Sequence, residues 1–181
     1  MKKILVPLAP GLEEIEAVSS IDVLRRAGLE VITVSINEKE EVKGDHGITL
    51  KADDLIENID AENLDGIVLP GGMPGAENLK NTKKLLDMIQ KVNDNDGLIA
   101  AICAAPMVLE EAGVIKDKDA TSYPGFGEKM PSCNYQEKEV VKDGNIITGR
   151  GPGVALKFAL QIVEYLLGKE KADELKEKMI A

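Results

Sequence analysis

Aromatic residues are nearly missing from this chain of 181 residues: tryptophan is absent, phenylalanine occurs twice and tyrosine three times. That scarcity argues against a base-stacking surface or an aromatic cage for a cation. Positive charge is also in deficit, with 22 Lys and Arg against 32 Asp and Glu. The formal charge of −10 repels phosphate backbones and disfavours nucleic-acid binding. Histidine occurs once and cysteine twice. Two cysteines at dissimilar sites make no disulfide framework, which points to a reducing, cytoplasmic compartment. No apolar run approaches membrane-spanning length, and Ile4-Leu5-Val6 after Met1-Lys2-Lys3 is too short for a signal peptide. With no repeat, linker or low-complexity segment, the expectation is a single domain over 1–181 whose core is Ile, Leu, Val and Ala.

What is present is an alternation of strand and helix patterns. Lys3 to Leu8 reads as a strand, Leu12 to Ala27 as a helix stopped by Gly28, and Glu30 to Ile36 as a strand. Glu41 to Lys43 and Ile48 to Lys51 suggest a side hairpin around Gly44 to Gly47. Gly66 to Leu69 is a strand, Leu79 to Val92 an amphipathic helix, and Leu98 to Ile102 a fully apolar strand. Ala120 to Tyr123 suggests a short strand, and Val140-Val141 with Ile146 to Thr148 a hairpin about Lys142-Asp143-Gly144-Asn145. Pro152 to Leu167 and Glu170 to Met179 read as the last helices. This order predicts an α/β sandwich, a mostly parallel sheet with helices on both faces.

In such a sheet, ligands gather beyond the carboxyl ends of the strands. Cys103 stands there, where the apolar strand passes into a helical pattern through Met107, Val108, Leu109 and Ala112. A lone nucleophile at a strand-to-helix turn is a nucleophile elbow, and its sharpness requires small residues nearby, here Ala101 and Ala105. The helix N-terminus favours thiolate over thiol; the same apolar run would also house an inert buried cysteine. In the first helix, Leu12, Ile15, Ser19 and Val23 mark an inward stripe, with Glu16 on its edge and Glu13 and Glu14 turned outward. A partly buried Glu16 would keep a raised pKa and carry a proton, whereas Glu13 and Glu14 simply complement the helix dipole. After Pro70, the amide of Gly72 would join that of Ala104 in an oxyanion hole, unless the glycines serve only a turn. His46 lies in the hairpin turn, with nothing to place it beside Cys103. Arg150-Gly151-Pro152-Gly153 matches no phosphate loop. Cys133 has no metal-ligand partner at useful spacing, and neither a metal site nor a cofactor is expected.

Ala9-Pro10-Gly11-Leu12-Glu13-Glu14-Ile15-Glu16, Leu69-Pro70-Gly71-Gly72, Ala100-Ala101-Ile102-Cys103-Ala104-Ala105-Pro106 and Gly151-Pro152-Gly153 occur in that order. Together with Asp22-Val23-Leu24-Arg25-Arg26-Ala27-Gly28 they resemble the ThiJ/PfpI superfamily end to end, nearest its parkinsonism-associated deglycase branch. The resemblance implies a flavodoxin-like three-layer sandwich, class I glutamine-amidotransferase-like, assembled as a homodimer. It implies that Cys103 is the nucleophile, that Glu16 hydrogen-bonds its sulfur and stabilises a sulfinate, and that Gly72 and Ala104 supply amides around it. The implied activities are glutathione-independent glyoxalase and deglycase chemistry on small carbonyls such as methylglyoxal or on glycated side chains, without a cofactor. The alternative is a redox-sensing or chaperone-like stress protein acting through oxidation of Cys103. This chain has Tyr123 where many relatives carry histidine, Ala104 where the protease-like branch has one, and His46 where some have arginine near the site. These departures disfavour a peptidase or amidotransferase and leave Tyr123 and His46 as rim residues, while Arg26 matches an arginine near the dimer contact.

Overall fold

The computed structural model describes residues 1–181. The first half contains β1 (Lys3–Leu8), α1 (Glu14–Arg26), β2 (Glu30–Ser35), β3 (Glu41–Lys43), β4 (Thr49–Lys51), β5 (Asp54–Leu55), β6 (Gly66–Leu69), α2 (Gly75–Lys80) and α3 (Lys83–Asp94). The second contains β7 (Leu98–Ile102), α4 (Pro106–Glu111), β8 (Asp119–Ala120), β9 (Asn134–Tyr135), β10 (Val140–Asp143), β11 (Ile146–Gly149), α5 (Ala155–Leu167) and α6 (Lys169–Met179). The main sheet runs β10-β11-β7-β6-β1-β2-β5, parallel throughout except for the antiparallel edge strand β10. β3 and β4 form the side hairpin, Val42 opposite Leu50.

The period of two along each strand sends residues to two cores. From β1, Ile4, Val6 and Leu8 join one cluster with Val68, Ala100 and Ile102, under α1 and α5. Leu5 faces the opposite cluster with Ile67, Leu69, Ile99 and Ala101, under α2, α3 and α4. Strands buried on both faces are continuous apolar runs for this reason. α3 buries Leu85, Met88, Ile89 and Val92, and α5 buries Phe158, Ala159, Ile162 and Val163, the spacing of one helical face. Each fully buried large side chain contributes roughly 1.5–3 kcal/mol relative to exposure. No helix is long and apolar enough to cross a membrane.

Three local expectations are corrected. The helix expected over Leu79 to Val92 is two: the Asn81 amide closes α2 on Glu77 and Leu79 carbonyls, and Thr82, extended at φ −90 and ψ 94, opens α3. Its hydroxyl also donates to the Asn78 carbonyl at 2.8 Å, which fixes the break. The strand expected over Ala120 to Tyr123 ends at Ala120, because Thr121 and Tyr123 turn away to bond Thr148 and Cys103. In α1 the inward stripe is displaced: Ile15 is 58% exposed, while Glu16, Ala17, Ser20, Val23 and Leu24 face in.

The sheet order explains where a site forms. From β1 the chain moves to β2 on one side and returns to β6 on the other, so the loops after β1 and β6 splay apart at their carboxyl ends. Such a switch point opens a crevice.

Candidate active site

Cys103 follows β7 directly and holds the left-handed conformation, φ 64. For a residue with a side chain this costs of order 1–3 kcal/mol. Two hydrogen bonds from later strands and loops hold it there. Its N–H donates to the Gly149 carbonyl at 2.9 Å, and its carbonyl accepts from the Tyr123 N–H at 2.8 Å. Ala101 and Ala105 are fully buried beside it, as a sharp elbow requires.

The loop after β6 closes on the elbow. A Cβ on Gly71 would lie 2.7 Å from the Cys103 Cβ and 2.8 Å from Glu16 Oε2, so only glycine fits. The Gly71 N–H donates to that oxygen at 2.8 Å. Gly72 has φ +89, and its N–H and that of Ala104 both point at the Cys103 sulfur. Sequence reasoning selected Gly72 and missed Gly71, the glycine that orients the carboxyl; the Gly71-Gly72 pair was the available signal.

Glu16 projects from the first turn of α1 into this space and is fully buried. Its Oε1 is sealed from water and completes no hydrogen bond, and the carboxyl neighbours the Cys103 thiol. Burial pushes the Glu16 carboxyl up to about 7, aided by the nearby Glu13 charge and opposed by the Gly71 amide and the thiol. Burial, with the Glu16 charge next, pushes the Cys103 thiol up to about 12, more than the Gly72 and Ala104 amides can offset. Burial thus acts against the thiolate that a helix N-terminus favours: α4 spans only six residues and begins at Pro106. The two groups act on each other, and burial raises both.

The remaining candidates lie at increasing distance. Tyr123 is bonded through its backbone to Cys103 and packs edge-on against Phe126, with ring centroids 6.5 Å apart. His46 is exposed, as a turn histidine should be, yet its Nδ1 lies 3.0 Å from Glu14 Oε2. Glu13 and Glu14 are buried rather than turned outward. Glu13 caps α1 through the Ile15 N–H at 2.9 Å, and Glu14 holds the hairpin turn through the His46 and Ile48 amides. Burial raises the Glu14 carboxyl, but hydrogen bonds from His46, its own backbone and Ile48 bring it below the ordinary value. His46 is raised by its hydrogen bond to Glu14 and by both carboxylate charges. Arg26 pairs with Asp22 at 2.6 Å near the far end of α1, about 15 Å along the axis from Glu16. Cys133 donates to the Met130 carbonyl at 3.3 Å, and burial pushes its thiol up. A surface cleft of about 870 Å³ between Glu170 and Ala181 offers neither cysteine nor histidine; chemistry rather than size selects the elbow.

The sequence signature of the DJ-1/PfpI family matches residues 2–165. The chain is 46% identical over 176 residues to Protein DJ-1 homolog B of Arabidopsis thaliana, covering 96% of this chain and 40% of that protein. It thus spans less than half the length of that relative. It is 35% identical over 177 residues to Glutathione-independent glyoxalase DJR-1.2 of Caenorhabditis elegans, covering 96% of this chain and 94% of the relative. The solved structure of oxidized Toxoplasma gondii DJ-1 superposes with a TM-score of 0.96 at 41% identity, covering 99% of this chain and 98% of that one.

Proposed function

The chain belongs to the DJ-1/PfpI family, and from that premise we propose that it is a cysteine-dependent, cofactor-free enzyme of carbonyl stress defence, a glutathione-independent glyoxalase that also removes early glycation adducts. The observation that carries this reading is the buried Glu16 carboxyl, pinned through Oε2 by Gly71 beside the Cys103 thiol, with Oε1 left unpartnered. The named glyoxalase activity of the Caenorhabditis elegans relative supports it. The Cys103 sulfur adds to the aldehyde carbon of methylglyoxal while its proton passes to ionised Glu16 and on to the carbonyl oxygen, giving a hemithioacetal. The Gly72 and Ala104 amides hold the developing oxyanion. Glu16 then removes the C1 proton and returns it at C2 through an enediol, so that C1 is oxidised and C2 reduced within one molecule. Water hydrolyses the resulting thioester, releasing lactate and restoring the thiol.

Lactate formation from methylglyoxal without glutathione tests this in wild type, Cys103→Ser and Glu16→Gln. Turnover in wild type and its loss in both folded variants is the expected result; full activity in Glu16→Gln would sink the mechanism.

One observation favours a second reading: the closely superposing Toxoplasma gondii structure is of an oxidized protein. Oxidation of Cys103 to sulfinate, held by Glu16 and the two amides, would make the chain a redox-responsive stress protein. Mass spectrometry after mild peroxide distinguishes it, since this reading requires Cys103 to oxidise faster than Cys133. We also propose a homodimer, supported by the apolar Ile15 and Val18 exposed one turn apart on α1, and a cytoplasmic setting, supported by two unpaired cysteines.

A further inference from the structure

In a chain with five aromatic residues, three of them, Tyr123, Phe126 and Tyr135, gather in the segment bonded to the elbow. Given the carbonyl chemistry of Cys103, on which this rests, we propose that Tyr123 and Phe126 form an apolar subsite for the substituent of a 2-oxoaldehyde, so that aromatic and bulky apolar dicarbonyls are the preferred substrates. Ala76, Ala104 and Met107 make a small buried cluster apart from the two cores of the sheet, and Cys103 and Phe126 both pack against it. A group joined to the sulfur therefore has apolar surface on its Phe126 side. Tyr123 stands 47% exposed, its ring 6.5 Å from that of Phe126 and nearly perpendicular to it at 78°. Ligand sites are lined in this way, by apolar and aromatic side chains around a few polar groups.

The two rings are fixed before any substrate arrives. Pro124 and Gly125, the latter at φ 87, fill the centre of a turn that the Phe126 N–H closes on the Tyr123 carbonyl at 3.0 Å; these are the residues a type II turn selects. The Tyr123 N–H ties the turn to the Cys103 carbonyl at 2.8 Å. On its other side the Tyr123 ring lies against Gly151, where a Cβ would approach it within 3.2 Å. The Tyr135 ring lies as close to Gly127, and its hydroxyl donates to the Ser122 carbonyl at 3.3 Å. The exposed Lys129 places its Nζ 4.8 Å over the Phe126 ring, a cation–π contact. A wall braced this well loses little freedom when a ligand settles on it. An anionic substituent, by contrast, would meet the Glu16 charge that acts on the sulfur.

The test measures kcat/KM for glyoxal, methylglyoxal and phenylglyoxal, read as glycolate, lactate and mandelate, in wild type, Phe126→Ala and Tyr123→Ala. The phenylglyoxal-to-glyoxal ratio should fall ~10-fold or more in each variant, the scale on which apolar pockets discriminate, chiefly through KM for phenylglyoxal. Tyr123 is half exposed, so its removal leaves the packing in place even where Phe126→Ala disturbs it. A second readout needs no turnover. 2-Bromoacetophenone and bromoacetone each lose bromide to a cysteine sulfur, the thiol proton passing to water, and differ only in phenyl against methyl. Mass spectrometry follows labelling of Cys103 with Cys133 as the reference in the same chain. Wild-type Cys103 should favour the aromatic reagent relative to Cys133, and both variants should lose that preference. Ratios unchanged in the folded variants would overturn the subsite. If wild type turned over no dicarbonyl, the glyoxalase reading would fall by itself and labelling would decide: an aromatic preference lost in the variants upholds the subsite, and equal labelling overturns it.

Discussion

Replacing Glu16 by glutamine should remove turnover and at the same time make the protein more stable at alkaline pH. The carboxyl is fully buried and its pKa rises from 4.5 to about 7. Between those values the folded chain keeps a proton that the unfolded chain releases. Its stabilising effect is complete below pH 4.5, declines as pH rises, and is gone above about 7. At about 1.4 kcal/mol per unit, wild type loses on the order of 3 kcal/mol across this window from Glu16 alone. Glutamine keeps an acceptor for the Gly71 N–H, faces the sulfur with an amide, and carries no charge to desolvate. The variant should therefore match wild type near pH 4.5 and exceed it by up to about 3 kcal/mol at pH 8, which for a chain of this size is a Tm higher by roughly 6–12 °C. Urea titrations of both proteins at the two pH values, with lactate production alongside, measure it. A variant no more stable than wild type at pH 8 would show that Glu16 is not a strained buried acid, and the proton-carrying role would fall with it.

The pH dependence of turnover follows from the same group. In the proposed mechanism ionised Glu16 is the base, so kcat/KM should rise tenfold per pH unit up to a plateau above about 7 and stand about 100-fold below that plateau at pH 5; a flat profile from stopped assays would refute it. Gly71→Ala puts a methyl group against Cys103, the Ile102 carbonyl and Glu16. It should cost about 1–3 kcal/mol in urea unfolding and suppress lactate formation by displacing the carboxyl. Phe158→Ala empties the space of the bulkiest fully buried side chain; a loss of about 3–5 kcal/mol, seen as a lower urea midpoint at unchanged slope, is expected.

The sequence revealed most where chemistry and periodicity coincide. The apolar run Leu98 to Ile102 and the break at Cys103 announce both a central strand and its elbow, because burial on both faces leaves no polar positions. The α2–α3 break was hidden because Asn81 and Thr82 end one helix and begin another without interrupting the apolar spacing. The phase of α1 misled for a more instructive reason. Its inner face carries Glu16 and its first turn buries Glu13 and Glu14, while Ile15 and Val18 point out, so a hydrophobicity pattern inverts where carboxylates are buried. The link from Glu14 to His46 spans 32 positions and has no local signal; only the return of the hairpin onto the helix creates it. The same holds for Gly71, whose need to be glycine arises from a cysteine in the neighbouring strand.

The two backbone bonds that hold the elbow also set a timetable. A chain emerging from its N-terminus can pair β1 with β2 early, but the Cys103 amide finds its acceptor only when Gly149 has been made. Until then the Cys103 backbone lacks the acceptor that holds its left-handed turn. Closing β11 against β7 seals the thiol beside Glu16 and raises its pKa to about 12. Completion of the fold thus creates the pair of sulfur and carboxyl, so the last strand of the sheet, rather than the elbow's own sequence, decides when it exists.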